Sequence, residues 1–541
     1  MVCIPPPAMM EFDPVLLHEW LRRSARRRPD KTALICGDVR RSYAELDASS
    51  DRLAASLCAL GLRGQDRVVI LMDSSVEAVI ALYAVLKAGG VFVMLNGGVK
   101  APKLDYVLRD AGAGILITHV SKAAVTTKAG ADKRCRVVWA GPDAQMPGPS
   151  SKTCIGWGRA AEEADGAQPD VGTEESGATA PCVIETDLAA LVYTSGSTGE
   201  PKGVMCTHHN MVSAARSIIQ YVGNDERDVI LNVLPLSFDY GLYQVLMAVM
   251  FGGTVVLEPS FAYLHRALER IGQERVTGFP VVPTIVAMLL AMQDPTKYDL
   301  SSLRYLTNTG AALPEEHIRR LRALLPGAAV FSMFGLTECK RVCYLPPGEI
   351  DRRPGSVGKP MPNTKARVVD EAGRETGTGE TGELIVQGPH VTQGYWNDPD
   401  LTARTFRPGR YREETILHTG DWFRKDEEGF LYFVGRRDDL IKSRGERISA
   451  REVESAICGL AGVAECAVVG VPDEILGQAV QAFIVRGPQA GLTEKDVLRH
   501  CAENLEPFAV PKHVAFVLEI PRTAHGKVDR EGLMNGSGPA A

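Results

Sequence analysis

Apolar and polar positions in the first part of the chain follow the pattern of strands and helices in alternation. DRVVILM (66–72) and VFVML (91–95) are short apolar runs typical of buried strands, and the stretch between them, SSVEAVIALYAVLKAG (74–89), has the length of a helix. Ser42 and Glu45 form a capping-box pattern that predicts a further helix. Strands that alternate with helices indicate a parallel sheet in an α/β domain.

This pattern changes twice further along the chain. Between about Lys122 and Cys182 the sequence is rich in Gly, Pro, Ala and acidic residues, which predicts long surface loops. The alternation returns after Ile184 and continues to about Pro326. After Lys359 short apolar runs separated by turns predict a small β-rich subdomain.

A charged, polar junction, GRRDDLIKSRGER (435–447), precedes a tail that again has α/β character. In the tail REVESAICGL predicts a helix, and VAECAVVGV and AVQAFIV predict strands. We therefore expect an α/β protein with two domains. Residues 1–437 would form a large N-terminal body of βα subdomains plus a small β-rich subdomain, and residues 438–541 a small α/β C-terminal domain.

Composition supports an enzyme of several domains and excludes some partners. A chain of 541 residues is too long for one compact core, and 45% hydrophobic with 23% charged residues is ordinary for a globular protein. The net charge of −6 gives no general attraction for nucleic acid. The one basic run, Leu21 to Lys31, is interpreted as the end of a helix that begins at Asp13 and Pro14, with Asp13 as N-cap.

Cysteine usage and the N-terminus indicate a cytoplasmic location. Twelve cysteines occur without a C-x-x-C pair, which is typical of free thiols in a reducing compartment. Cys339 and Cys343 are four positions apart, but no histidine cluster accompanies them, so a zinc site is not expected. The N-terminus lacks the features of a signal peptide, and no apolar run reaches the roughly 18 residues of a membrane span.

The stretch LVYTSGSTGEPKGV (191–204) has the composition of a phosphate-binding loop. Its glycines allow close approach of the backbone to an anion, and its hydroxyls and Lys202 add donors. It is not a Walker A loop, because Pro201 precedes Lys202, Gly203 follows it, and the next residues predict a strand. The alternative is a mobile surface loop rich in small residues.

A second glycine-rich stretch is interpreted as a turn. GTGETG (377–382) matches the letters of a dinucleotide fingerprint, but it continues into the strand-like ELIVQG. A dinucleotide fingerprint opens a helix, so this stretch predicts a turn between strands.

Four further motifs, together with the phosphate loop, carry a family resemblance. They are SMFGLTE (332–338), LHTGDWF (417–423), GRRDDLIKSRGERIS (435–449) and RTAHGKVDR (522–530). In this order and spacing they resemble the adenylate-forming superfamily, which comprises acyl-CoA synthetases, adenylation domains of nonribosomal peptide synthetases and luciferase. LPLSFDYGLYQ, LRYLTNTGAALP and GYWNDP are most similar to acyl-CoA ligases associated with exosortase systems and their stand-alone relatives.

The resemblance implies two half-reactions and a mobile C-terminal domain. A carboxylate attacks the α-phosphate of ATP to give an acyl-adenylate and pyrophosphate, with Mg²⁺ as the metal. The thiol of CoA, or of a phosphopantetheinyl carrier protein, then displaces AMP to give a thioester. Because the chain ends without a carrier domain or an attachment site, we expect the acceptor to be a free-standing carrier protein or CoA.

The same resemblance assigns the nucleotide site. The β- and γ-phosphates would be held by Thr194, Ser195, Gly196, Ser197, Thr198, Gly199 and Lys202. Glu338 would bind Mg²⁺, an oxygen ligand suited to a hard cation, and Thr337 would face the α-phosphate. The adenine and ribose would be held by Gly310, Ala311, Phe334, Gly335, Asp421 and Arg436.

The resemblance also places functional residues in the tail. Lys527 would bridge the carboxylate and the α-phosphate during adenylation, and such a cation is commonly worth roughly 3–4 kcal/mol of barrier. Asp438 would be the hinge, and Lys442 and Gly445 would approach the acyl-adenylate and the pantetheine arm after the domain turns.

Asp239 is the informative residue of the acyl pocket. It aligns with the aspartate that pairs with the substrate ammonium in amino-acid-activating domains, and a carboxylate in such a pocket is costly without a partner. The alternative is a structural role. Arg341 would meet a second substrate carboxylate, or else point to solvent or pair with an acidic neighbour. The other pocket residues would be Phe238, Tyr243, Pro280, Thr307, Thr309, Met333 and Val342, with Phe238 gating the pantetheine tunnel or packing in the core.

The leading hypothesis is therefore a ligase that activates a small-molecule carboxylic acid, with an amino acid or a small polar acid favoured. One alternative is a fatty acyl-CoA synthetase for medium or long chains. The other is a nucleotide-binding protein without turnover, against which the intact Glu338, Asp421 and Lys527 argue.

Overall fold

A computed structural model of the chain provides the structure. It describes residues 13–141, 154–157, 182–195, 201–412, 414–436, 441–443, 446–473, 477–487, 491–505, 509–522 and 528–534.

The described residues form helices and strands throughout. The helices are α1 Leu17–Arg27, α2 Tyr43–Ala59, α3 Val76–Lys87, α4 Ala101–Asp110, α5 Ala123–Lys128, α6 His208–Val222, α7 Asp239–Phe251, α8 Leu264–Glu274, α9 Pro283–Ala291, α10 Glu315–Leu324, α11 Pro399–Thr405, α12 Ala450–Cys458, α13 Glu494–Asn504 and α14 Arg530–Met534. The first strands are β1 Thr32–Cys36, β2 Val39–Ser42, β3 Arg67–Met72, β4 Val91–Asn96, β5 Ile115–His119, β6 Arg136–Ala140, β7 Cys154–Gly156, β8 Leu188–Ser195, β9 Pro201–Thr207, β10 Val229–Asn232 and β11 Thr254–Leu257. They are followed by β12 Gly278–Val281, β13 Tyr305–Asn308, β14 Ala329–Phe334, β15 Cys343–Leu345, β16 Ser356–Pro360, β17 Lys365–Val369, β18 Thr381–Gln387, β19 Phe406–Pro408, β20 Thr415–Lys425, β21 Leu431–Arg436, β22 Ile441–Ser443, β23 Glu446–Ile448, β24 Val463–Asp473, β25 Gly477–Arg486 and β26 His513–Phe516.

The first of two compact units comprises Met1–Ser260 and Thr392–Thr402. One of its sheets has the order β7-β6-β5-β3-β4-β8-β9, in which all pairs are parallel except the last. In a second group of strands β11 pairs in parallel with both β10 and β1, and β2 pairs antiparallel with β1. The predicted parallel α/β sheet is confirmed.

Predictions about local elements in this unit have mixed outcomes. The Ser42–Glu45 capping box is confirmed at the start of α2. The predicted cap of α1 is wrong, because α1 begins at Leu17 and the carboxylate of Asp13 instead forms ion pairs with Arg23 at 2.6 Å and Arg216 at 2.8 Å.

The prediction of loops from Lys122 onwards is wrong for residues 123–140, which contain α5 and β6. The apolar run at 137–139 is buried, and its burial stabilises a strand there although the surrounding residues have the composition of a loop. Residues 142–153 and 158–181 of the predicted loop region lie outside the described residues.

The second unit comprises Phe261–Val391 and Ala403–Ala541. Its strands β12, β13 and β14 are parallel, and β15, β16, β21, β20, β18 and β17 follow in antiparallel order, with β19 on β20. The GTGETG stretch leads into β18, which pairs antiparallel with β17, so its interpretation as a turn between strands is confirmed.

The tail folds as predicted, with helices beside a small sheet. β24 and β25 are long antiparallel partners, β26 joins β25 in parallel, and α12, α13 and both long strands contribute to one apolar core. The α/β fold class is confirmed, whereas the domain boundary at residues 437 and 438 stays a prediction. No helix in the described part of the chain is long and apolar enough to cross a membrane.

Candidate active site

The phosphate-loop candidate lies between two antiparallel strands. β8 and β9 pair so that Thr194 stands opposite Lys202 and Ser195 opposite Pro201. The strand predicted after Lys202 is therefore confirmed. Gly196, Ser197, Thr198 and Gly199 lie outside the described residues, but the register shows that they connect adjacent antiparallel strands. A Walker A loop connects a strand to a helix, so this site differs from it in architecture as well as in sequence.

The ends of β13 and β14 carry the residues assigned to adenine. Gly310 follows β13 with φ of +85°, a conformation that favours glycine, and Ala311 beside it is exposed. Asn308 Nδ2 donates a hydrogen bond of 2.9 Å to the carbonyl oxygen of Ala311 and so holds this turn.

Phe334, at the end of β14, belongs to an aromatic cluster. Its ring centroid lies 4.9 Å from that of Phe423 in an edge-to-face arrangement and 5.8 Å from that of Phe433, which is stacked on it. Both geometries are favourable for aromatic pairs. The cluster orients Phe334, which the sequence alone does not show.

Gly335 is required by the close return of the chain. A Cβ at this position would stand 2.2 Å from the carbonyl oxygen of Lys340 and 2.8 Å from Cα of Arg341. The segment between these residues presents Thr337 and Glu338 as half-buried side chains. The glycine in FGLTE thus has a packing reason beyond any contact with nucleotide.

Glu338 fits a magnesium ion that is held largely by substrate. Among the described residues no group of three or more His, Cys, Asp or Glu side chains is arranged to hold a metal. Mg²⁺ commonly binds through one or two carboxylates plus phosphate oxygens and water, so a single half-buried carboxylate is compatible with it.

Asp421 lies on β20, opposite Arg436 on β21. Its side chain is 4% exposed, and Arg436 Nε donates to its Oδ1 at 3.2 Å while the arginine side chain is 58% exposed. The pair leaves the carboxylate buried, and a carboxylate is a strong acceptor for hydroxyl donors such as those of a ribose.

Sequence reasoning missed Glu383, which holds the turn before Asp421. Its Oε1 accepts a hydrogen bond from Gly420 N at 3.0 Å, and its Oε2 lies 2.9 Å from His418 Nδ1. Burial alone would raise the pKa of the Glu383 carboxyl. These hydrogen bonds outweigh the effect of burial, so the pKa lies below its usual value. Gly420 has φ of +69°, so the turn needs both the glycine and its acceptor.

In the first unit, Asp239 begins α7 directly after Phe238, and both side chains are half-buried. Tyr243, one turn further along α7, is buried. Phe238 lies edge-to-face with Tyr240 at 6.1 Å between ring centroids, which supports the packing interpretation of Phe238. A carboxylate in the first turn of a helix is stabilised by the helix dipole.

In the second unit, the pocket candidates lie on or beside the strands β12 to β15. Pro280 is in β12, Thr307 is in β13 and Thr309 follows it, Met333 is in β14, Arg341 and Val342 precede β15, and all six are buried. Arg341 Nη1 donates to Thr309 Oγ1 at 2.6 Å. The suggestion that Arg341 points to solvent is therefore wrong, because its side chain is buried and its guanidinium donates to the hydroxyl of Thr309, directly after β13.

The structure places the candidates of the tail only in part. Lys442 lies on β22, opposite Arg447 of β23. Asp438, Gly445 and Lys527 lie outside the described residues. Arg522 and Val528 form an antiparallel bridge, so the two ends of the segment that contains Lys527 are neighbours.

Comparisons with known proteins agree with these features. The family model of the AMP-binding enzyme matches residues 21–396, and that of the AMP-binding enzyme C-terminal domain matches residues 452–527. A long-chain-fatty-acid–CoA ligase of Bacillus subtilis (strain 168) is 33% identical over 536 residues, covering 96% of this chain and 94% of that protein. A feruloyl-CoA synthase of Amycolatopsis sp. is 34% identical, with 95% and 97% covered.

Among solved structures, the anthranilate CoA ligase AuaEII in complex with anthranoyl-AMP has a TM-score of 0.86 and 28% identity, and 97% of this chain and 98% of that chain are covered. The match therefore extends over nearly the whole chain. This chain belongs to the AMP-binding enzyme family, within the adenylate-forming superfamily, and is an AMP-forming acid–thiol ligase.

Proposed function

We propose that this ligase activates a small polar carboxylic acid, with an amino acid favoured, and passes the acyl group to a pantetheine thiol. A carboxylate oxygen attacks the α-phosphorus of ATP, and the bond to the pyrophosphate oxygen breaks. The thiol sulfur then attacks the acyl carbon, gives up its proton, and AMP leaves with the carboxylate oxygen. The pairing of Thr194 with Lys202 at the mouth of the glycine-rich loop supports the nucleotide part of this proposal, and the buried cation Arg341 among the pocket candidates carries the choice of a polar acid.

Charge neutralisation and positioning are the main tasks of a phosphoryl-transfer site. Lys202 and Thr194 hold the pyrophosphate part of ATP, and Asp421 accepts hydrogen bonds from the ribose. Glu338 binds Mg²⁺, which when bound neutralises phosphate charge. Lys527 neutralises charge that develops between the carboxylate and the α-phosphate.

Two charged side chains among the pocket candidates favour a small polar acid as the substrate. Asp239 stands at the start of a helix, where its charge is tolerated and can receive an ammonium group. The buried Arg341–Thr309 hydrogen bond places a cation among the pocket candidates of the second unit, which is unfavourable for a long alkyl chain and suited to a substrate carboxylate.

A second candidate is an aryl or fatty acid with CoA as acceptor. The relatives named above act, by their names, on long-chain fatty acids, ferulate and anthranilate, and none of those names describes an α-amino acid. Under this alternative Asp239 contributes to the start of α7 and does not contact substrate. A free-standing carrier protein remains our favoured acceptor under the first candidate.

Pyrophosphate exchange across amino acids, aryl acids and fatty acids separates the two candidates. The first predicts exchange with a few amino acids or polar acids, and a loss of at least about tenfold in kcat/KM in Asp239→Asn, because a charged hydrogen bond is worth roughly 1.5–3 kcal/mol. Glu77→Gln is the matched control, since Glu77 is also a half-buried acid in the first turn of a helix. Exchange with uncharged acids alone, unchanged in Asp239→Asn, would favour the second candidate.

The acceptor is tested by thioester formation after the acid is known. Free CoA and a phosphopantetheinyl carrier protein are offered separately to the enzyme loaded with acyl-adenylate. The proposal predicts a higher kcat/KM with the carrier protein, and a preference for CoA would contradict that part of it. The cysteines whose side chains the structure describes carry thiols and form no disulfide, which supports the proposed reducing, cytoplasmic location.

A further inference from the structure

The strand that carries Lys202 is held along both edges. On one edge β9 pairs with β8, which carries Thr194. On the other, the segment 393–396 forms three backbone hydrogen bonds with it: Met205 N to Gly394 O at 2.9 Å, Gln393 N to Met205 O at 3.1 Å, and Trp396 N to Gly203 O at 2.7 Å. The GYWNDP stretch therefore acts as a third strand-like partner beside the phosphate-loop candidate.

Side chains tie the same segment to the strand that carries Thr194. The hydroxyl of Tyr193, one residue before Thr194, donates to the carboxylate of Asp110 at the end of α4. The carbonyl oxygen of Asp110 accepts from Trp396 Nε1 at 2.9 Å and from Asn397 Nδ2 at 2.9 Å. We call Tyr193, Asp110 and Trp396 the brace. Burial and the hydrogen bond to Asp110 both raise the pKa of Tyr193, which keeps its hydroxyl a donor.

Two side chains of the brace pack against Gly203, the residue after Lys202. A Cβ on Gly203 would stand 3.2 Å from the Tyr193 ring and 3.4 Å from Cβ of Trp396, so the two aromatic side chains bound this position from both sides. The guanidinium of Arg67 lies 5.2 Å from the centre of the Trp396 ring and covers it. Little room remains for β9 to shift relative to β8.

We propose that the brace residues Tyr193, Asp110 and Trp396 are positioning residues that set the distance between Thr194 and Lys202 for binding of the β- and γ-phosphates. This inference rests on the proposed function of the loop. None of the three needs to touch nucleotide: Tyr193 belongs to β8, Trp396 N donates to the backbone of β9, and Asp110 joins the two through their side chains. A substitution in the brace should therefore weaken the binding of ATP. It should hardly change the binding of AMP or of the acyl-adenylate, because both lack the β- and γ-phosphates.

The test compares binding of ATP and AMP to the full chain by calorimetry. Tyr193→Phe removes one hydrogen bond of the brace, and Trp396→Phe removes another while keeping an aromatic ring. Each is expected to weaken ATP binding roughly fivefold, the effect of one hydrogen bond, and AMP binding less than twofold. Thioester formation from supplied acyl-adenylate should proceed at the wild-type rate.

Tyr43→Phe is the matched control. Tyr43 is also buried in the first unit, and its hydroxyl donates to Ala248 O at 3.1 Å and Gly253 O at 2.7 Å, so the substitution removes comparable hydrogen bonds elsewhere. It should leave the ATP-to-AMP affinity ratio unchanged. Should Trp396→Phe not fold, Tyr193→Phe decides in the same assay.

Equal weakening of ATP and AMP in the brace variants, or no weakening of either, overturns the inference and makes the brace merely structural. A wild-type chain that binds no ATP is a different result, because it contradicts the proposed function itself. The two failures are therefore distinguishable in one experiment.

Discussion

Replacing Asp421 with alanine is expected to remove recognition of the ribose. The carboxylate is 4% exposed, and Arg436, whose side chain is 58% exposed, donates to it at 3.2 Å, so we expect this buried acceptor to bind both ribose hydroxyls. A hydrogen bond to a charged group contributes about 1.5–3 kcal/mol, so two contribute at least about 3 kcal/mol. At about 1.4 kcal/mol per factor of ten, kcat/KM for ATP should fall roughly 150-fold.

A cycle with 2′,3′-dideoxy-ATP makes this prediction specific. Wild-type enzyme should prefer ATP over the dideoxy analogue by roughly the same 150-fold, and Asp421→Ala should hardly distinguish them. Asp370→Ala is the control: its carboxylate accepts from Ala372 N and Arg374 N, each at 2.9 Å, in an exposed turn, and the variant should keep the wild-type preference for ATP. If Asp421→Ala still discriminated against the dideoxy analogue as wild type does, the ribose assignment would be refuted.

Three further predictions concern the tail, the FGLTE turn and acid stability. Lys527→Ala should abolish pyrophosphate exchange and spare thioester formation from supplied acyl-adenylate, whereas Gly445→Trp should do the reverse; equal loss of both half-reactions in either variant would contradict the division of roles. Gly335→Ala should lower the melting temperature and the activity together, because its Cβ would meet a backbone carbonyl oxygen at 2.2 Å, and a wild-type melting curve would contradict this. Burial lowers the pKa of His18 to about 3 and that of His208 to about 4, so the unfolded state binds more protons below its histidine pKa of about 6.5. The free energy of unfolding should therefore fall as the pH drops from about 6.5 towards 4, and His18→Phe should flatten this dependence in denaturant titrations.

Short sequence patterns correctly predict those elements whose stabilising contacts lie between residues that are close together in the sequence. The capping box of α2 is complete within four residues, and the strand β3 is a continuous apolar run, so both are visible in the sequence. Asp13 shows the limit of such rules. Its neighbours predict a helix cap, but Arg216, more than 200 positions away, competes for its carboxylate.

The candidate site shows the same division. The glycine-rich loop and the order of the motifs identify the family from sequence, because each motif is contiguous. The supports of the site are not contiguous: Glu383 holds the turn before Asp421, and Trp396 reaches the strand of Lys202 from almost 200 residues away. Their roles depend on strand register, which no single motif encodes.

The order of the two half-reactions, attack of a carboxylate on the α-phosphorus of ATP and later displacement of AMP by a thiol, can be followed with an oxygen isotope. It is tested most directly by turning over an acid labelled with ¹⁸O in its carboxylate and measuring the masses of AMP and pyrophosphate. The expected result is one ¹⁸O in each AMP and none in pyrophosphate, because the attacking oxygen stays on phosphorus when the thioester forms. Label in pyrophosphate or inorganic phosphate, or unlabelled AMP, would contradict it.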